Sequence, residues 1–238
     1  MFRFTIFGIP VEVEPWFWLV MSFIGGALGA LSGNSPDAYL GVVLFMMAGF
    51  VSVLVHELGH AMSGLKLGGG RVWIRLWAFG GLAYQQGGRF DRQRRCAMIL
   101  AGPGAGLALA AISIVSLFII FPAPEALKRL ILYLSYTNIP HEAMLNIFPD
   151  NRPVYGFLNA MVWVNVWWSV LNLLPVYPLD GGQFMDQFIK SRKAMHKTSM
   201  ITCAVVIVLM LGLGMTLGLI FFAFFAYQNY IGYREARY

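Results

Sequence analysis

Residues from about Tyr39 to Leu67 form an apolar run that contains His56-Glu57-Leu58-Gly59-His60. Crossing a bilayer takes about 20 mostly apolar residues, so the run is long enough to span. It predicts a helix, because a helix pairs its own backbone polar groups where no water can. Each ionisable group at membrane depth costs roughly 2.5–3.5 kcal/mol on insertion scales, and three are clustered here. Two histidines four apart lie on one helix face and can share a zinc ion. The intervening glutamate then stands beside the metal as general base. The run therefore points to metal chemistry carried out inside a membrane.

Composition agrees. The chain is 58% hydrophobic and 12% charged, against about 25% charged in ordinary soluble domains. Five segments can span: about Trp16–Leu31, Tyr39–Leu65, Cys96–Phe121, Tyr155–Leu174 and Met200–Tyr227. The first is short. The last contains Gly212, Gly214 and Gly218 and is long enough to split in two. Ala126–Tyr136 is apolar but too short to cross and reads as an interfacial helix. Cys96 and Cys203 lie in apolar segments and read as buried thiols. No cleavable signal peptide is expected from the mixed first fifteen residues.

Lys and Arg set the orientation. Residues 66–95 hold seven of them: Lys66, Arg71, Arg75, Arg89, Arg92, Arg94 and Arg95. Residues 175–198 hold Lys190, Arg192, Lys193 and Lys197, whereas 32–38 and 122–154 together hold Lys128, Arg129 and Arg152. The positive-inside rule makes the first two regions cytoplasmic. The amino terminus is then cytoplasmic too. A sixth span, made by splitting the last segment, would bring Arg234 and Arg237 inside. The net charge of +6 is thus topological, and nucleic acid is not an expected partner.

A catalytic zinc takes a third protein ligand and keeps one position open for water. At about 1.5 Å of rise per residue, His60 and His56 lie ~9 and ~15 Å from the cytoplasmic end near Lys66. The candidates on that side are Asp91, Asp180, Asp186 and His196. His196 sits in a basic cluster and reads as solvated. His141 and Glu142 fall in the external segment. Asp180 follows the fourth span in Asn172-Leu173-Leu174-Pro175-Val176-Tyr177-Pro178-Leu179-Asp180-Gly181-Gly182. Its prolines end the helix, and its glycines allow a tight turn and close backbone approach.

The pair HELGH and NLLPVYPLDGG resembles the site-2 protease family of intramembrane zinc metalloproteases. Residues 56–60 and 172–182 match that family's HExxH and N-x-x-P-x-x-P-L-D-G strings at every defining position. Ala101-Gly102-Pro103 is similar to its AGP string, though Gly104-Ala105-Gly106 follows where relatives often carry bulkier residues and an asparagine. The AGP string itself reads as close helix packing by small residues. The resemblance covers roughly residues 40–195. It implies one zinc per chain held by His56, His60 and Asp180, with Glu57 catalytic and Asn172 holding the substrate or the oxyanion. In 238 residues there is no room for the PDZ or CBS domains of many relatives, so a compact form is expected.

Arg71–Gln86 is aromatic and β-branched, with Gly80-Gly81 in the middle. It predicts a hairpin about a Gly-Gly turn and resembles the family's re-entrant β-loop. Hydrolysis needs an unwound substrate, and a strand edge would satisfy an extended segment's backbone in the membrane. Gly80, Gly81, Leu82, Ala83 and Tyr84 are thus expected to bind substrate. Phe2–Glu14 predicts a second, structural hairpin. Asn165 shares a face with Asn172 and is expected to join helices.

The expected fold is an all-α polytopic membrane protein with five transmembrane helices, or six if the last segment splits, plus the two hairpins. It forms one membrane-embedded domain over residues 1–238: an amino-terminal hairpin (1–15), a catalytic core (39–195) and a carboxy-terminal transmembrane segment (199–228). The resemblance implies a zinc metalloendopeptidase that cuts membrane-anchored protein substrates in or near their transmembrane segments. The expected location is the plasma (inner) membrane, with the site reached from the cytoplasm. The rival reading is a non-catalytic membrane metal-binding protein or a metal transporter.

Overall fold

The computed structural model describes residues 1–33, 36–135, 153–213 and 216–236. The chain opens with strands β1 (Phe2–Ile6) and β2 (Ile9–Val13), joined at Phe7-Gly8, both at positive φ. Helices α1 (Pro15–Ile24), α2 (Ala27–Gly33) and α3 (Pro36–Gly68) follow. Strands β3 (Arg71–Trp77) and β4 (Gly80–Gln86) lead into α4 (Arg92–Ile120) and α5 (Ala123–Ser135). The rest is α6 (Pro153–Asn172), α7 (Asp180–Asp186), α8 (Arg192–Gly212) and α9 (Thr216–Glu235). His141 and Glu142 lie outside the described residues.

The two expected hairpins are one sheet. Its order is β1-β2-β3-β4, with β2 parallel to β3 through Val11 opposite Ile74 and Val13 opposite Leu76. Alternation sets the buried face. Ile9, Val11 and Val13 of β2 and Val72, Ile74 and Leu76 of β3 pack on Phe17 and Met21 of α1 and on Val53, Leu54, Leu58 and Ala61 of α3. Their neighbours point outward and pair across strands, as in Arg3 with Glu12 (2.8 Å). The sheet thus sits on the helix that carries the HELGH string.

Three helices are long and apolar enough to cross a membrane among the described residues: Ala38–Gly68, Arg92–Ile120 and Arg192–Gly212. The expected first span breaks at Gly25-Gly26, between α1 and α2, where Gly26 has a φ of +87°. The last segment forms two helices, α8 and α9, of 21 and 20 residues. The interfacial segment is the amphipathic α5, whose buried Arg129 donates to Glu125 (2.8 Å) and lies over the Phe121 ring. Helices α3, α4 and α6 pack together. Asn165 of α6 donates to Ser52 of α3 (2.8 Å), the helix-joining contact expected of it. The α8–α9 pair closes the other side around Cys203, Met210, Phe222 and Phe225, with Val176 packed among them.

Candidate metal centre

On α3 the four-residue spacing turns both imidazoles to one side, with their ring centroids 4.9 Å apart. A chain reversal after α6 brings Asp180 to meet them. Pro175 and Pro178 cannot continue the helix, so the backbone turns through residues 173–179 and restarts as α7 with Asp180 as its first residue. Gly181 and Gly182, read as allowing a tight turn, instead lie in the first turn of this short helix. Gly181 and Gly182 let that helix lie directly on the turn: a side chain at Gly181 would strike the Leu173 and Leu174 carbonyls, and one at Gly182 the backbone of Val176 and Tyr177.

The result is a compact donor set. His56 Nε2 lies 3.0 Å from Asp180 Oδ2, and His60 Nε2 lies 3.2 Å from Asp180 Oδ1. The two Nε2 atoms are 3.2 Å apart. One ligand atom from each residue falls within 4.8 Å of the others. His60 Nδ1 donates to the Met98 carbonyl oxygen at 3.0 Å, which leaves a lone pair on Nε2. That lone pair faces carboxylate oxygen and a second imidazole, an arrangement a bound cation satisfies and neutral rings alone do not. Two imidazoles and one carboxylate form the three-ligand set of a catalytic zinc, with a fourth position left for water. These residues therefore fit a zinc ion.

Of the other third-ligand candidates, Asp91 caps α4 by accepting the Arg94 N–H (2.8 Å), and Asp186 ends α7, 6 residues beyond Asp180. His196 is buried rather than solvated, with its Nδ1 2.9 Å from Asn229 Oδ1. It shares the inward stripe of α8 with Met195, Ser199 and Cys203.

Glu57 is buried beside the histidines. Its carboxylate lies against strand β4, close to Gly81 and Ala83. A side chain at Gly81 would strike the same carboxylate. The hairpin turn itself is Ala78-Phe79, so Gly80 and Gly81 are strand residues facing Trp77 and Leu76. The glycines answer a different demand from the expected turn. Gly80 has a φ of +115° with the Trp168 ring where a side chain would go, and Gly81 lets β4 approach Glu57. Leu82, Ala83 and Tyr84 line the same cavity of about 240 Å³ as His56, Glu57, His60 and Asp180. Asn172 also lines it, and its Nδ2 donates to the Trp168 carbonyl (2.9 Å).

The small residues of α4 do more than pack. Gly59 and Ala101 bring α3 and α4 together, and Gly102 leaves the space that the His60 ring fills. A glycine facing a ring from another helix has no signature in one sequence, so its role was not visible there.

The model of peptidase family M50 matches residues 44–213. The chain is 28% identical over 192 residues to a Synechocystis protein assigned to the zinc metalloproteases, a match covering 78% of this chain and 43% of that protein. It is 27% identical over 230 residues to a zinc metalloprotease of Methanocaldococcus jannaschii, covering 94% of this chain and 57% of the relative. The chain thus spans about half the length of these two curated relatives. The solved site-2 protease from Methanocaldococcus jannaschii has a similar fold: the TM-score is 0.57 at 21% identity, covering 98% of this chain and 94% of the other.

Proposed function

This chain belongs to peptidase family M50, and from that premise we propose that it is an intramembrane zinc endopeptidase acting on membrane-anchored proteins. The observation that carries the reading is the position of Glu57. Its carboxylate touches strand β4 and lies beside the His56–His60–Asp180 set.

Zinc held by His56, His60 and Asp180 would supply Lewis acidity, making a water acidic near neutral pH and polarising the scissile carbonyl. Glu57 accepts the proton of that water as its oxygen attacks the carbonyl carbon. Glu57 then returns the proton to the leaving nitrogen as the C–N bond breaks. Asn172 stands in the cavity wall, where its amide can orient the substrate or its developing oxyanion. The buried wall around Glu57 keeps bulk water from competing for its proton.

The substrate is a transmembrane segment that unwinds to expose its carbonyls. Strand β4 supports this reading because it is a sheet edge. Ala83 of that strand lies beside Glu57, and we place its N–H on the side away from β3. By antiparallel alternation Gly81 and Gln85 present their backbone groups to that side as well. An extended substrate segment adds along this edge and meets Glu57 there.

The charge distribution supports a cytoplasmic amino terminus, access from the cytoplasm and a plasma (inner) membrane location. The separate helices α8 and α9 favour an even number of spans and a cytoplasmic carboxy terminus. Glu57→Gln tests the chemistry. It should keep zinc in the purified protein while cleavage of a transmembrane substrate falls by about 10²–10⁴-fold. Cleavage at the native rate by the zinc-loaded variant would overturn the reading.

A further inference from the structure

A buried polar network lies outside the catalytic set and grips the chain just before Asp180. At its centre is the peptide of Tyr177. Its N–H donates to Ser199 Oγ of α8 (3.0 Å), and its carbonyl accepts from Asn229 Nδ2 of α9 (2.5 Å). Ser199 is anchored in turn, donating to the Met195 carbonyl (3.0 Å). The second amide hydrogen of Asn229 goes to the Phe225 carbonyl (2.9 Å).

Two carbonyl acceptors fix which end of the Asn229 amide carries nitrogen. Its Oδ1 then needs a donor, and His196 Nδ1 supplies one at 2.9 Å. The His196 ring also stands edge-on to the Tyr177 ring, at 5.9 Å between centroids. A side chain at Gly232 would strike the His196 ring. Ser199 and Asn229 are both almost fully buried. An unmade hydrogen bond at such a depth costs the full desolvation of the group.

The connection to the metal set is short. Gly182, in the first turn of α7, lies against the backbone of Val176 and Tyr177 with no space for a side chain. Asp180 is the first residue of that helix. A shift of the Tyr177 peptide therefore shifts α7 and its carboxylate.

We propose that Asn229 and Ser199 are positioning residues for the ligand Asp180, and that His196 sets the orientation of the Asn229 amide. The last two helices thereby hold the third zinc ligand in register with the two histidines of α3. The proposal rests on the metal reading above. Groups that orient metal ligands typically contribute about 10–100-fold in metal affinity.

The test uses the full chain purified in detergent micelles. Zinc affinity is measured by chelator competition, and the visible absorption of the Co2+-substituted protein reports ligand geometry. Asn229→Ala and Ser199→Ala should each weaken zinc by about tenfold or more and alter the cobalt bands. Ser199→Thr keeps the hydroxyl and should restore both. Asn165→Ala, which removes a buried asparagine remote from the Tyr177 turn, should bind zinc as the native protein does. If Asn229→Ala does not yield folded protein, the Ser199→Ala and Ser199→Thr pair decides. Native zinc affinity and native cobalt bands in Ser199→Ala would reduce the network to ordinary packing and overturn the proposal. Failure of native protein and Asn165→Ala alike to bind zinc would instead sink the metal reading itself.

Discussion

At the scale of single residues, the site depends on what is missing as much as on what is present. Gly81 is the clearest case, since any Cβ there occupies the space of the Glu57 carboxylate. Gly81→Ala should therefore lower peptide cleavage by at least about tenfold through displacement of the general base, while zinc content stays native. Cleavage at the native rate would show that Glu57 relocates freely. The ligand assignment has its own contrast: Asp180→Ala should leave purified protein with less zinc, whereas Asp186→Ala should retain it. Metal analysis of the two variants decides this, and equal zinc in both would refute Asp180 as ligand. HELGH was legible because a two-histidine ligand pair needs only one helix and a fixed spacing. Asp180 was legible only as one of four acids and histidines on the right side, until the LDG string singled it out. His196 was misread because Lys193 and Lys197 surround it in sequence. The stripe Met195–Ser199–Cys203 was the available sign that this helix turns His196 inward.

At the scale of elements, the sequence spoke clearly about periodicity and poorly about partners. Both hairpins were legible, the second from its aromatic and β-branched residues, but nothing local says that Ile9–Val13 pairs with Arg71–Trp77 some 60 residues away. The split after Gly212 was signalled by glycine, whereas the first segment was read only as short and its break at Gly25-Gly26 was missed. The Ala78-Phe79 turn was hidden because Gly80-Gly81 resembles a turn more than the residues that make one. The contact of α3 with α4 carries a prediction. His60 is oriented from α4 by the Met98 carbonyl, and Gly102 of α4 makes room for its ring. Gly102→Ala should push that ring out of line and weaken zinc binding by about tenfold or more. Chelator competition measures it. Unchanged affinity would mean that α3 and α4 separate without disturbing His60.

At the scale of the whole molecule, charge supports the proposed orientation in the membrane and the sheet ties the amino terminus to α3. Lys66 in the last turn of α3 and the six basic residues between it and residue 95 support the proposal that the site opens toward the cytoplasm. Substrates should then be cut in the cytoplasmic half of their transmembrane segment, and faster where Gly, Pro or Asn loosens the helix near the cut. Mass spectrometry of the products locates the bond. A cut in the external half would refute the orientation and the access route together. The sheet also serves as a ruler. Its near edge touches Glu57, and its far edge is β1, which begins at Phe2. Three strand spacings of about 4.8 Å separate the two edges, ~14 Å in all. A dye attached beside Phe2 therefore stands within energy-transfer range of cobalt at the histidines. Its quenching reports metal loading from a position that no substrate has to pass.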